Sequence, residues 1–277
     1  MKTLIGMIHL KPLPGSPGWA FDLDAIRDAA LRDAEALAKG GVDAIMIENF
    51  GDTPFFKDNL PPVTVAAMSV LADAVGRAVD VPIGINCLRN DGAAALSIAA
   101  MVGAAFVRVN VLTGARVTDQ GVIEGRAAEL LRMRTSFNLD PTVQILADVD
   151  VKHSAPLALR PIEEEVGDMV ERGGADGLII SGSGTGKPAD PDMARRVKAV
   201  APKTPLYVGS GINEASIGSF VDHVDGFIVG TYFKVDGKVD APVDVERVKR
   251  LVGKLNASTG GSANGPRKVQ KRDKSRR

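Results

Sequence analysis

The densest group of reactive side chains is the segment Asp148-Val-Asp-Val-Lys-His153, at the end of a predicted strand. If the chain stays extended there, the two-residue period of a strand sends Asp148, Asp150 and Lys152 to the same side. The two carboxylates beside His153 could hold a divalent cation such as Mg²⁺ or Mn²⁺. Alternatively, Asp148 or Asp150 acts as general base while Lys152 stabilises an oxyanion or forms an imine, with His153 as an acid partner. A third interpretation is an ion-pair network in which Asp150 and Lys152 neutralise each other.

Two glycine-rich segments predict a phosphate site. Gly209-Ser-Gly-Ile-Asn213 follows the seventh predicted strand, and Gly230-Thr231 follows the eighth. Backbone amides freed of bulky side chains in these two loops form a phosphate cradle near the amino end of a short helix, which Asn213 would cap. Glycines also turn a strand tightly into a helix, so the preference for phosphate depends on both loops lying together. The candidate phosphate ligands are Gly209, Ser210, Gly211, Gly230 and Thr231.

A third glycine-rich segment, Ser181-Gly-Ser-Gly-Thr-Gly-Lys187-Pro, superficially resembles a nucleoside triphosphate-binding loop. It has only three residues between Gly182 and the Gly186-Lys187 pair, and proline stands where Ser or Thr should hold magnesium. We therefore reject that interpretation. A lid that carries Lys187 toward an anion is the alternative that we favour over a mobile solvent loop.

Polar side chains also end the first four predicted strands. Glu48 ends the second predicted strand and Arg108 lies in the fourth, so the two side chains are near enough across the barrel to approach each other. A buried guanidinium needs a partner, and Glu48 could be that partner. The pair could be structural, or Glu48 could be an acid or base whose pKa is set by Arg108. The candidate substrate-binding residues are His9, Asn86, Arg108, Asn110, Ser181 and Lys187. His9 is either a hydrogen-bonded structural histidine or a ligand or proton shuttle.

The elements that position these groups alternate between short aliphatic strands and amphipathic helices. The predicted strands are residues 3–9, 43–49, 81–86, 105–110, 143–150, 176–181, 205–209 and 225–230. A similar sequence pattern recurs at the four even-numbered strands, as in Gly41-Val-Asp-Ala-Ile-Met-Ile-Glu48 and Gly174-Ala-Asp-Gly-Leu-Ile-Ile-Ser181. Eight such pairs and a final helix near 242–255 predict a single α/β domain, a (β/α)8 (TIM) barrel over residues 1–257, rather than an open doubly wound sheet. In such a barrel, reactive groups lie at the carboxyl ends of the strands.

Helix boundary signals agree with this pattern. Asp91 is a plausible N-cap, and Asp190-Pro191 supplies a cap followed by proline at the first helical position. Gly40-Gly41 and Gly173-Gly174 are expected to end their helices.

Composition sets limits on partners and location. The chain has 277 residues, with no formal net charge and one cysteine, Cys87. It has no apolar run of the roughly 20 residues that would span a bilayer, which favours a cytoplasmic protein. Residues 267–277 hold seven of the 34 basic residues but only one of the 34 acidic residues, so the remainder is acidic and does not predict a specific nucleic-acid partner. Residues 258–277 are expected to form a disordered basic tail.

The motifs as a set resemble those of the BtpA family, which includes SgcQ-like proteins, over residues 3–255. The matching segments are Gly6–Gly15, Ile47–Asn49, Gly84–Asn86, Arg89–Asp91, Arg108–Asn110, Asp148–His153, Ser181–Lys187 and Gly209–Gly211. The resemblance implies a ribulose-phosphate-binding type of barrel and an association with photosystem I biogenesis in cyanobacteria. It also implies a link to sugar metabolism, because other members are similar to proteins encoded beside sugar-metabolism enzymes.

Two functions are consistent with the sequence. The first is an enzyme, an isomerase, lyase or hydrolase, acting on a phosphorylated sugar or nucleotide-like metabolite, in which Asp148→Asn would abolish turnover without disturbing the fold. The second is a non-catalytic assembly factor that binds a protein through the barrel exterior and the proline-rich first loop, residues 11–19. That loop is also a possible subunit contact in a homo-oligomer.

Overall fold

The computed structural model describes residues 2–182 and 189–260. Its strands, in chain order, are β1 (Thr3–His9), β2 (Ala44–Glu48), β3 (Ile83–Asn86), β4 (Phe106–Val109), β5 (Ala115–Thr118), β6 (Gly121–Glu124), β7 (Gln144–Asp148), β8 (Ser154–Pro156), β9 (Gly177–Ile180), β10 (Leu206–Val208) and β11 (Gly226–Val229). The helices are α1 (Leu23–Gly40), α2 (Pro62–Ala78), α3 (Gly92–Val102), α4 (Ala127–Ser136), α5 (Ile162–Gly167), α6 (Pro191–Val200) and α7 (Val245–Ser258).

Eight parallel strands close into a barrel in the order β1-β11-β10-β9-β7-β4-β3-β2. Closure is decided by β1, which pairs with β2 on one side and with β11 on the other. All eight strands predicted from the sequence are present, and the open-sheet alternative is wrong. Among the described residues, no helix combines the length and apolarity needed to cross a membrane.

The helices begin and end where the sequence signals place them. The Asp91 carboxylate accepts a hydrogen bond from the amide of Ala94 at 2.9 Å, and Asp190 accepts one from Asp192 at 2.9 Å. Gly41 ends α1 with φ of 95°, a backbone conformation that favours glycine. The last helix, α7, extends to Ser258, which was expected to belong to the tail. Residues 261–277, which make up most of the expected tail, lie outside the described residues.

The barrel interior is filled below the level of the strand ends. Its buried apolar side chains are Ile5, Met7, Ala44, Met46, Phe106, Leu146, Ile179 and Ile228. Gly84 makes room for one of them, because a Cβ at this position would lie 2.0 Å from the Phe106 ring. This apolar layer fills the barrel from beneath, and a cavity opens above it, at the carboxyl ends of the strands.

A small antiparallel sheet, which the sequence analysis did not predict, lies beside the barrel. Its strand order is β6-β5-β8. It is anchored by Arg116 of β5, which donates hydrogen bonds to Asp150 at 2.8 Å, to the carbonyl of Val149 at 3.0 Å and to Glu165 at 2.6 Å. As a result, the chain does not stay extended after β7: the strand ends at Asp148 and the following residues turn toward β8.

Candidate active site at the carboxyl ends of the strands

A cavity of about 210 Å³ opens at the carboxyl ends of the barrel strands. Residues from both predicted groups, the charged strand ends and the glycine loops, share its wall. Its lining includes Met7, His9, Glu48, Arg108, Lys152, Gly209, Ser210, Gly211, Ile212, Asn213, Gly230, Thr231, Tyr232 and Arg247. The structure therefore brings the charged strand ends and the glycine loops to one cavity.

Strand register places four of the predicted side chains in one row. His9 is paired with Glu48, Glu48 with Asn86, and Asn86 with Arg108. Directly paired residues of neighbouring strands point to the same face of a sheet. The row explains why polar residues spaced far apart in sequence meet at one level of the barrel.

The two glycine loops lie together as predicted. Gly211 has φ of 70°, and Gly230 faces His9 so closely that a Cβ there would lie 2.6 Å from the His9 Cε1. Ser210 Oγ accepts a hydrogen bond from the Gly182 amide at 2.7 Å, which ties this loop to the segment after β9. The Asn213 side chain accepts hydrogen bonds from the amides of residues 215 and 216 at 2.9 and 3.1 Å, but it closes a turn and does not cap a helix as predicted. The element that follows is only a short 3₁₀ turn, Ile217–Ser219.

Arg108 takes Asp148 as its partner, so the predicted pairing with Glu48 is wrong. Its Nε and Nη2 donate to the two carboxylate oxygens at 2.9 and 2.8 Å, and Asn110 Nδ2 adds a third donor at 2.8 Å. The Arg108 and Asp148 side chains are 3% and 0% exposed. The reason is position: β4 and β7 are adjacent in the barrel, whereas β3 separates β2 from β4.

Glu48 and Lys152 face the cavity without a salt bridge between them. Burial raises the pKa of Glu48 above its usual value, and the positive charges of Lys152 and Arg108 offset this only in part. Burial, followed by the charge of Arg108, lowers the pKa of Lys152. The backbone of Lys152 is held by Arg89, whose Nη2 donates to the Lys152 carbonyl at 2.5 Å. Opposite shifts of this kind bring the pKa values of a carboxyl and an amine closer to neutral pH, as acid–base catalysis requires.

His9 is a largely buried histidine beside Glu48. Its Nε2 lies 3.8 Å from Glu48 Oε1, and its ring centroid lies 4.7 Å from that of Phe50. Burial, then the charges of Lys234, Lys152 and Arg108, lower the pKa of His9 from the usual 6.5 to about 3.

Acid should destabilise the protein through His9. The unfolded chain binds a proton at this histidine below pH 6.5, while the folded chain does not until about pH 3, so stability falls as pH drops through this window. From His9 alone we expect a loss of about 2 kcal/mol between pH 7.5 and pH 5. Urea unfolding at both pH values measures it: His9→Gln should reduce the loss, and His223→Gln should not. An equal loss in wild type and His9→Gln would contradict the assignment.

The remaining predicted residues do not line this cavity. Asp150 points away and pairs with Arg116, and its side chain is 52% exposed. His153 is exposed, with φ of 58°. The expectation that Asp148, Asp150 and Lys152 share one side therefore fails, because the strand ends before Asp150. Lys187 lies outside the described residues. Within the described ranges, no group of three or more His, Cys, Asp or Glu side chains is placed to hold a metal ion.

Two polar lining residues were not predicted from the sequence. Tyr232 directly follows the second glycine loop, and Arg247 comes from the first turn of α7. The position of Tyr232 after Gly230-Thr231 was a usable signal. Arg247 carried none, because an arginine in the first turn of an amphipathic helix is ordinarily a solvent-exposed residue.

The sequence matches the BtpA family over residues 1–257. The chain belongs to the BtpA family. The resemblance inferred from the motifs is thus confirmed. This BtpA-family chain is 47% identical to the uncharacterized protein TK2179 of Thermococcus kodakarensis, covering 91% of this chain and 94% of that one. It is 45% identical to the photosystem I biogenesis protein BtpA of Synechocystis, covering 91% and 87%. It is 32% identical to the mitochondrial protein F13E9.13 of Caenorhabditis elegans, covering 91% and 92%.

Solved structures share the fold of this BtpA-family barrel. N-(5'-phosphoribosyl)anthranilate isomerase from Pyrococcus furiosus aligns with a TM-score of 0.55 at 13% identity, covering 92% of this chain and 99% of that one. Orotidine 5'-phosphate decarboxylase from Pyrococcus horikoshii aligns with a TM-score of 0.53 at 15% identity, covering 91% and 99%. The predicted barrel is therefore confirmed by independent structures.

Proposed function

We propose that this BtpA-family barrel is an enzyme that binds a phosphorylated sugar or nucleotide-like metabolite and catalyses a proton transfer within that metabolite. One observation supports the proposal: two glycine loops of the kind that bind phosphate line the same cavity as a buried Glu48 and a half-buried Lys152. The solved barrels named above are, by their names, enzymes of phosphorylated compounds. Their likeness supports the proposal through the fold.

In this proposal the ligand's phosphate lies against the backbone of Gly211 and Gly230. Amides at the carboxyl ends of the last two barrel strands, free of side chains, are suited to hydrogen-bond a phosphate dianion. The polyhydroxyl part then extends toward β1–β4. The buried side-chain atoms Asn86 Oδ1, Asn110 Oδ1, Ser181 Oγ and His9 Nδ1 have no hydrogen-bond partner among the described residues. Of these four residues, only His9 is among the residues that line the cavity, so a hydroxyl group of the ligand would complete the hydrogen bonding of His9.

Glu48 is the proposed base and Lys152 the proposed electrostatic partner. Glu48 would remove a proton from a carbon next to a carbonyl, while the Lys152 ammonium stabilises the developing oxyanion. In an α-hydroxy carbonyl compound, the proton of the hydroxyl group then moves to the former carbonyl oxygen, and Glu48 returns its proton to the former carbonyl carbon, which completes an isomerisation. Asp148 is less suited to be the base, since Arg108 and Asn110 already occupy its oxygens.

A two-step experiment tests the function. Thermal unfolding is first measured with sugar phosphates, nucleotides and their unphosphorylated counterparts, with and without Mg²⁺ or Mn²⁺. A ligand at about 100 times its Kd should raise Tm by roughly 5 °C. Compounds that bind are then incubated with the protein in D₂O, and loss of a carbon-bound proton is followed by NMR. No shift with any phosphorylated compound would contradict the proposal and favour an assembly role like the one in the name of the Synechocystis relative.

Gly230→Ala should weaken phosphate binding by about tenfold. The added Cβ would lie 2.6 Å from the His9 ring, so the loop or the ring must move. Gly218→Ala is the matched control, because a Cβ added there would have nothing within 4 Å. Calorimetric titration with a phosphorylated ligand from the panel measures both. Equal affinities in the two variants would place the phosphate elsewhere.

A further inference from the structure

Arg247 is a cavity-lining arginine without a carboxylate partner in the described part of the chain. It is half-buried and shares the wall with Gly211, Asn213 and Gly230. The other arginine of this wall, Arg108, is neutralised by the bidentate contact with Asp148. Arg247 makes no bidentate contact of this kind, although its charge also acts on Glu214, so its terminal nitrogens face the end of the cavity where the glycine loops lie.

The side chain of Arg247 is held in place by the residue that follows the second glycine loop. Its Nε donates to the Tyr232 carbonyl at 2.6 Å, and its guanidinium carbon lies 4.6 Å from the centre of the Tyr232 ring. The Tyr232 hydroxyl donates in turn to Glu214, the residue after Asn213. The Glu214 carboxylate also lies 3.4 Å from the Nε of Arg250, which belongs to α7 like Arg247. Both loops and α7 are thereby linked, and among the described residues only Nε of Arg247 is used in a hydrogen bond.

A guanidinium fixed through Nε presents its two terminal nitrogens as a planar fork, which matches the oxygens of a phosphate group. Stacking on Tyr232 further restricts its orientation. We infer that Arg247 is the cationic half of the phosphate site and selects a terminal, doubly charged phosphate over neutral groups. The inference rests on the proposed function. Backbone amides supply the other half, since they bind an anion from the opposite side without contributing net charge.

Arg247→Met tests this role in the full chain. Inorganic phosphate is titrated by calorimetry at constant ionic strength, with chloride as the balancing salt. Loss of the charge-assisted contacts should weaken phosphate binding by about 10- to 100-fold. Arg247→Lys should fall between wild type and Arg247→Met, because it keeps the charge and loses the fork. Lys249→Met is the matched control: it removes one positive charge from an exposed position of the same helix, where Lys249 contacts Glu246 at 2.8 Å.

The outcomes separate this inference from the proposed function. Weaker binding in Arg247→Met with unchanged binding in Lys249→Met supports it. Wild-type affinity in Arg247→Met, or equal losses in both variants, overturns it and leaves the proposed function standing. If the wild type binds no phosphate, the proposed function fails together with the inference. Circular dichroism and Tm without phosphate identify a variant that has failed to fold, and Arg247→Lys then decides the question.

Discussion

Glu48→Gln is expected to lower turnover by about 10²- to 10⁴-fold, the usual contribution of a positioned general base. The substitution keeps the shape of the side chain and removes its ability to accept a proton. It leaves the glycine loops and Arg247 untouched, so affinity for a phosphorylated ligand should change little. Proton exchange in D₂O, measured by NMR for a ligand from the binding panel, gives the rate of the chemical step directly.

The same substitution should not destabilise the protein at neutral pH. Because burial raises the pKa of Glu48, its contribution to stability is present below the pKa of the unfolded state and is lost as pH rises through the folded-state value. An uncharged glutamine side chain at this position avoids that loss. The urea midpoint of Glu48→Gln should therefore equal or exceed that of the wild type at pH 7. The difference between the two midpoints should shrink as pH falls toward the usual pKa of glutamate.

Asp150→Asn decides between the structural and the sequence-based assignment of the base. Asp150 lies outside the cavity, bonded to Arg116. If Asp150→Asn abolishes proton exchange while Glu48→Gln does not, the base is in the segment predicted from the sequence and our assignment of Glu48 is wrong.

Asp148→Asn is expected to destabilise the protein by about 3 kcal/mol or more. This reverses the sequence-based expectation of an intact fold. Asp148 accepts three hydrogen bonds from Arg108 and Asn110 in a buried environment, so removing its charge leaves an unpaired guanidinium away from water. Urea denaturation measures the change as a lower midpoint at an unchanged m value.

Two further variants separate this effect from loss of any ion pair. Glu35→Gln breaks an exposed pair with Lys39 on α1, at 3.2 Å, and should change stability by no more than about 0.5 kcal/mol. The double variant Arg108→Met/Asp148→Asn should recover part of the loss, because no buried charge is then left unpaired. A stable Asp148→Asn protein without activity would restore Asp148 as a candidate base.

The barrel was predictable because its signals are local. Buried parallel strands appear as aliphatic runs such as Ala44–Glu48, and helix ends carry caps such as Asp91 and Gly41, whose contacts depend only on neighbouring residues. The small sheet was not predictable in the same way. Its strands are three or four residues long and partly exposed, so Ala115–Thr118 and Ser154–Pro156 carry too little hydrophobic pattern to be distinguished from loops.

In the candidate site, too, local features were predictable and contacts between distant segments were not. The sequence alone determined which residues end the strands, since His9, Glu48, Asn86 and Asn110 each close an aliphatic run, and it determined that two glycine loops follow the last two strands. Only the tertiary structure decided which charges meet. Asp148 pairs with Arg108 because their strands are adjacent, and Asp150 pairs with Arg116 of the unpredicted sheet. Arg247 lies beside the glycine loops because α7 packs next to them. The physical reason is that burial and backbone pattern are local properties, whereas an ion pair depends on which distant segments the closed barrel brings into contact.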